Sequence, residues 1–175
     1  TIGNDRMMVW LYDDPARTSV NRTELVYSYY DYNAGRGIWR QYEAVADDGT
    51  ADFHPDLVTL PDGDVLLAWE NVTEVLAEPD NPDDPQEAED KLEELKSKTG
   101  ISVVLYDYDT DTWFPQPIVR FQANTEVLDR TPKLAAAADG TAMLTWVSNA
   151  ANDEVGTSAT PNDVHFAVFD GAELL

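Results

Sequence analysis

The sequence predicts an all-β chain assembled from an internal repeat, and three observations carry that expectation. Two blocks of residues recur three times in the same order. Each block is a short apolar or alternating run bounded by turn residues, as strands are. Set apart from its insertions, the repeat has a period of about 50 residues, the length of a four-stranded unit that buries its faces against its neighbours.

The first block is GNDRMMVW (Gly3 to Trp10), DGDVLLAW (Asp62 to Trp69) and DGTAMLTW (Asp139 to Trp146), a turn signal followed by an apolar run ending in Trp. The second is LVYSYYD (Leu25 to Asp31), ISVVLYD (Ile101 to Asp107) and VHFAVFD (Val164 to Asp170). The last two repeats also extend backwards. Asp52-Phe-His-Pro55 aligns with Asp129-Arg-Thr-Pro132, and Trp69 and Trp146 each follow their Pro by 14 residues.

The middle repeat shows how the strands arise. Pro55 to Leu60 reads as a strand opened by Pro, where a missing N–H does little harm. Pro61 to Asp64 is a tight turn, with Gly63 free to take positive φ. Val65 to Trp69 is apolar throughout, as a strand buried on both faces should be. Ile101 to Tyr108 is a third strand, Asp109 to Asp111 a turn, and Trp113 to Phe121 a fourth strand marked as an edge by Pro115 and Pro117. Four antiparallel strands repeated in this way make the blades of a β-propeller. The expected units are residues 1–51, which lack an inner strand, residues 52–127 with a helical insertion at about 74–99, and residues 128–175, which lack an outer strand. A closed ring takes about four blades or more, so the register predicts a segment of a longer polypeptide, its missing strands coming from the parent chain or a partner subunit. An irregular β-sandwich is the alternative architecture, and it would make the repeats coincidental.

Tyr106-Asp-Tyr-Asp-Thr-Asp-Thr-Trp113 resembles the strand–turn–Trp segment of kelch-type propeller blades. The Asp-Gly turns and strand-end Trp are similar to the propeller repeats of large exported archaeal and bacterial cell-surface proteins. The paired glycines of kelch repeats are absent, and only Thr112-Trp113 fits the Asp-box of sialidase-type propellers, so the resemblance concerns architecture. It implies an extracellular or cell-surface location.

The repeats diverge between their second and third strands, at residues 11–24, 70–100 and 147–163. Insertions gathered on one face mark the usual binding face of a repeat array. The middle insertion predicts a helix with Asp84 as N-cap, Pro85 at N1, Glu87 completing a capping box and Gly100 closing the helix. Ala88, Leu92 and Leu95 make its apolar stripe, and Glu87–Lys91 and Glu94–Lys98 are i,i+4 pairs worth about 0.2–0.5 kcal/mol each. The helix either rests this stripe on the blade rim or docks a neighbouring domain.

Composition bounds the function. Asp and Glu total 34 against 11 Lys and Arg, a net charge of −23, which repels phosphate backbones and anionic lipid. The absence of Cys removes disulfides, thiolate nucleophiles and Cys-based zinc sites. No apolar run approaches the ~18 residues of a membrane span, and residues 1–11 lack the basic start and apolar core of a signal peptide.

Candidate sites are few. Asp107-x-Asp109-x-Asp111 has the spacing of a calcium loop, but Thr112 and Ile118 stand where an EF-hand needs Gly and Glu. The same residues suit a hairpin turn, so turn chemistry and a calcium cofactor both remain open. Asp31-x-Asn33-x-Gly35 and Asp170-Gly171 are weaker echoes. Asp52 and Asp129 read as turn caps, with a catalytic pair as the rival reading. Asp80 to Asp84 is an acidic, Pro-broken linker, and His54 sits in a turn where the sister repeat has Thr131. Tyr27, Tyr29, Tyr30, Tyr32 and Tyr42 could pack between blades or form a glycan platform. Asn21-Arg-Thr23 and Asn71-Val-Thr73 are glycosylation sequons, which fit a secreted prokaryotic glycoprotein. The expected function is a non-enzymatic interaction scaffold meeting protein or glycan through its divergent loops. The alternative is a fragment of a carbohydrate-active propeller enzyme, a sialidase-like glycoside hydrolase or a lyase.

Overall fold

The computed structural model describes residues 5–32, 37–121 and 127–170, with only the backbone of residues 115–121. The expectations placed on Gly3, Asn33, Gly35 and Gly171, and on the side chains of Pro115, Pro117 and Ile118, lie outside the described residues.

The chain is mostly β, with one α-helix and three antiparallel sheets that follow one another in sequence. The first sheet contains β1 (Arg6–Asp13) and β2 (Thr23–Asp31), with the short β3 (Ile38–Trp39) and β4 (Glu43–Ala44) both on the far side of β2. The second is the meander β5 (Asp52–Thr59), β6 (Val65–Val72), β7 (Thr99–Asp107) and β8 (Thr112–Phe121). The third is β9 (Leu128–Ala136), β10 (Ala142–Asn149) and β11 (Asp163–Phe169). No sheet closes on itself among the described residues. β8 is an edge strand, as its prolines require.

The sheets stack, and β6 shows why Val65 to Trp69 is apolar: every residue of the strand is buried, Glu70 and Asn71 at its end included. Leu67 and Trp69 pack with Leu25 and Val45 of the first sheet, whereas Leu66 and Ala68 pack with Leu144 and Trp146 of the third. Alternation along one strand thus serves two interfaces. The turns are those expected. Leu60 and Asp64 close the β5–β6 hairpin, with Gly63 at φ 110°.

The Asp-x-x-Pro segments are bulges inside strands. His54 (φ 46°) and Thr131 (φ 50°) occupy equivalent left-handed positions, uncommon for non-glycine residues and a strain for the β-branched Thr. The register of β5 against β6 shifts between Phe53 and Asp56, and that of β10 against β9 between Thr145 and Val147. Buried Glu70 joins the two bulges: its Oε1 accepts the Thr131 N–H at 2.6 Å and lies 2.9 Å from His54 Nδ1. His54 is therefore a strand residue, not part of a turn.

The helix α1 (Pro85–Lys98) begins as expected, with Asp84 accepting the Gln86 N–H at 2.9 Å. Three details differ. Glu87 reaches Asn81 N–H instead of closing a capping box. Thr99 is the C-cap, its hydroxyl donating to Leu95 O, because Gly100 is already paired with Asn71 in the sheet. The lysines pair at i,i+3 (Lys91–Glu94, Lys96–Glu93) or off the helix (Lys98–Glu74, 2.6 Å), so the i,i+4 pairs do not form. Leu95 packs on Ala51, Val72 and Leu76, while Leu92 is exposed. No described helix is long and apolar enough to cross a membrane.

Candidate functional site

The repeat carboxylates are structural. Asp52 opens β5 with its side chain almost wholly buried. Its Oδ1 accepts the Trp69 indole N–H at 2.6 Å and the Asn71 amide at 3.0 Å, and its Oδ2 accepts the Leu25 N–H of the neighbouring sheet at 2.9 Å. Asp129 repeats the Trp bond, accepting the Trp146 indole at 3.1 Å. Both therefore hold tryptophans that lie within β6 and β10, whose strands run three residues beyond them, and do not cap turns. Burial raises both pKa values, that of Asp52 to about 6, against the opposing pull of its donors. The signal was in the sequence: each Asp precedes its Trp by 17 residues. Trp10 occupies the matching place in the first sheet, where it stacks edge-on against Tyr42. Pro55 and Pro132 follow the left-handed residues of the bulges.

Both sequon asparagines are interior, not on the surface where a glycosylation site would lie. Asn21 is 1% exposed; its Nδ2 donates to Leu76 O at 2.7 Å and its Oδ1 accepts Leu76 N–H at 3.0 Å. Asn71 is equally buried, donating to Asp52 and Thr50 and accepting from Ser102. In the folded chain neither amide is open to a glycan, because attachment would displace buried hydrogen bonds.

The Asp107, Asp109 and Asp111 carboxylates do not converge. Asp107 Oδ1 accepts the N–H groups of Asp109 (2.9 Å) and Thr110 (3.0 Å), a turn geometry that lowers its pKa. Asp111, at φ 58°, is held instead by Arg40 and the Tyr106 hydroxyl. Among the described residues no three His, Cys, Asp or Glu side chains gather as a metal site needs.

Of the five clustered tyrosines, Tyr27 and Tyr29 pack between sheets, whereas Tyr32 and Tyr42 are exposed. Tyr27 and Tyr29 face Tyr106, Tyr108 and Trp113 across the first interface at centroid distances of 5.1–6.4 Å. Buried Asp5, which sequence reasoning missed, anchors this cluster by accepting the hydroxyls of Tyr29 (2.9 Å) and Tyr108 (2.6 Å) and the Tyr32 N–H (2.8 Å). The Tyr108 hydroxyl, the Tyr32 N–H and the Tyr29 hydroxyl outweigh burial and hold its carboxyl below the ordinary range. A cavity of about 90 Å³ opens beside Tyr27 and Tyr29, closed on one side by Arg40, which lies 5.3 Å over the Tyr29 ring. Tyr30 stacks on Trp39.

The divergent connections do come together. Asn21 and Ser19, from the first, bond to Leu76 and Glu78 of the second. Lys96 and Glu93 of α1 reach Glu154 (3.4 Å) and Asn152 (3.5 Å) of the third. Val75 and Val155 are exposed on this face, and beside them the acidic segment around Asp80 and the helix bound a cavity of about 390 Å³ lined by Glu87, Asp90 and Glu94.

No family model and no curated protein matches the sequence. The fold is similar to the crystal structure of a protein of unknown function from Dyadobacter fermentans, with a TM-score of 0.51 at 16% identity. The match covers 95% of this chain and 48% of that one, so this chain spans about half the length of the protein it matches.

Proposed function

We propose that this chain is a three-blade segment of a β-propeller that serves as a non-enzymatic interaction scaffold in an exported or cell-surface protein. One observation carries the reading: the three connections that differ between repeats are tied into one surface by Asn21–Leu76 and Lys96–Glu154, while the parts that recur are absorbed in packing. Variation gathered on one face of a regular scaffold is what a recognition surface requires. The sequential meanders and the shared Asp–Trp bond support the blade assignment. Against the enzyme reading stands the state of the repeat carboxylates, whose oxygens are occupied by indole, amide and backbone donors. The ligand class is protein or glycan.

A glycan microarray probed with the wild-type chain and a Val75→Asp, Val155→Asp variant tests the glycan arm, and a display library of folded domains tests the protein arm. Binding that is lost in the variant, with unchanged circular dichroism, is the expected result. Turnover of a reporter glycoside, or binding that survives the double substitution, would overturn the reading.

A further inference from the structure

The two internal interfaces are packed with different side chains. Between the second and third sheets the core is built on Leu60, Leu66, Val103, Leu144, Trp146 and Phe169, with no tyrosine in it. Between the first and second sheets, Tyr27, Tyr29, Tyr106, Tyr108 and Trp113 form one unbroken set of rings. Trp113 lies 5.1 Å from both Tyr27 and Tyr106, Tyr106 lies 6.2 Å from Tyr29, and Tyr29 lies 6.4 Å from Tyr108, centroid to centroid. Sheet packing in this chain therefore does not by itself require phenols.

Every hydroxyl in the set donates to a carboxylate. Tyr27 donates to Glu43 at 3.3 Å, Tyr29 and Tyr108 donate to Asp5 at 2.9 and 2.6 Å, and Tyr106 donates to Asp111. Burial above all raises the pKa of Tyr27, Tyr29 and Tyr106, so these phenols stay protonated at neutral pH. A protonated phenol gives up an electron readily only when its proton can leave in the same step, and each of these has a base at hand. The sequence holds no Cys and three Met, so few sulfur side chains compete for an oxidant.

From this we infer that the ring set is a sink for one-electron oxidising equivalents, with Trp113 as its entry and the carboxylate-bonded tyrosines as its store. Trp113 stands half-buried on the edge strand β8, against both Tyr27 and Tyr106. The oxidant is a small diffusing radical, which takes one electron from the Trp113 indole. Tyr27 or Tyr106 refills the indole with one electron and passes its hydroxyl proton to Glu43 or Asp111. What remains is a neutral phenoxyl radical beside a protonated carboxyl group. Tyr29 can then return an electron to Tyr106, which recovers its proton from Asp111 while the Tyr29 proton moves to Asp5. A one-electron donor from solution, such as ascorbate, finally restores the phenol as the carboxyl group gives the proton back.

Pulse radiolysis of the whole chain with the azide radical, a neutral one-electron oxidant that the chain's negative charge does not repel, follows the indolyl and phenoxyl absorption bands directly. Trp10 and Trp39 also lie beside tyrosines, so the signal read is the one that Trp113→Phe removes. In that signal the indolyl band should decay as the phenoxyl band grows, at a rate independent of protein concentration and slower in D2O. The double variant Tyr27→Phe, Tyr106→Phe keeps both rings and removes their hydroxyls. With circular dichroism unchanged, it should make the Trp113 radical at least ten times longer-lived. A rate that rises with protein concentration overturns the inference, because the electron would then come from another molecule. So does a double variant whose indolyl band decays as in the wild type. A wild-type rate equal in H2O and D2O overturns it too, since the carboxylates would then take no proton in the step. None of these steps involves the loop face, so their failure leaves the proposed function standing.

Discussion

Replacing Asp52 with Asn removes one ionisable group from the interface between the first two sheets and little volume. Burial raises the Asp52 pKa from an ordinary 3.8 to about 6. The difference, 6 − 3.8, is about 2.2 units, and at 1.36 kcal/mol per unit it amounts to about 3 kcal/mol. The sign follows from linkage: the folded state holds the proton more tightly than the unfolded state. The contribution is complete below pH 3.8 and is lost as the pH rises through about 6. The Asn variant lacks this dependence. Its amide can keep an oxygen on Trp69 Nε1, but its NH₂ then faces the Leu25 N–H, a mismatch of about 1–3 kcal/mol at every pH. Urea unfolding, followed by tryptophan fluorescence from pH 4 to 8 on both proteins, cancels the titrations they share. Because the unfolded group is already partly ionised at pH 4, the wild-type chain should lose about 2.4 kcal/mol of that total relative to the variant across that range. Parallel curves would refute the reasoning, because they would mean that the three donors offset the desolvation completely.

Asn21→Ala leaves both the N–H and the C=O of Leu76 buried and unpaired, and should cost about 2–4 kcal/mol in the same assay. Intact mass of chain made in a glycosylating host should show Asn21 and Asn71 unmodified in the folded fraction. Thermal melts with millimolar calcium and with chelator should coincide, since Asp107 is committed to its turn and Asp111 to Arg40 and Tyr106. In α1, Leu95→Asp should destabilise by about 1–3 kcal/mol, because Leu95 covers Ala51 and Val72, whereas exposed Leu92→Asp should stay within about 0.5 kcal/mol.

The strand order and the sheet breaks were legible because they are local. Asp-Gly turns and the apolar run Val65 to Trp69 in β6 each declare themselves within ten residues. The pairing of Asp52 with Trp69 was half legible, since the constant spacing was visible but not the burial that turns a cap into a clamp. Asn21 and Asn71 misled because a sequon is a surface signal only when its Asn is on the surface, and here the tertiary fold puts both amides inside. Gly100 misled for a related reason: the pull of β6 on Asn71's partner outweighs the local preference for a glycine at a helix end. Asp5 was half legible: it aligns with Asp64, and its bond to the Tyr32 N–H recurs as that of Asp64 to the Tyr108 N–H, but its tyrosine hydroxyl partner 103 residues away was not visible. Glu70 left no trace, because its Thr131 partner lies 61 residues away and the position recurs as Val147 and Leu11.

The two oxygens of Asp52 face different parts of the chain, one toward the tryptophan of its own sheet and the other toward the backbone of the sheet before it. A unit cut from this array at the apparent repeat boundary would carry only half of that arrangement, leaving an anion with one side bare. The modules that can be duplicated, shuffled or grafted are therefore offset from the sheets the eye picks out. The one around Asp52 runs from β2 of the first sheet into the second, so that the carboxylate travels with the Leu25 amide it must meet.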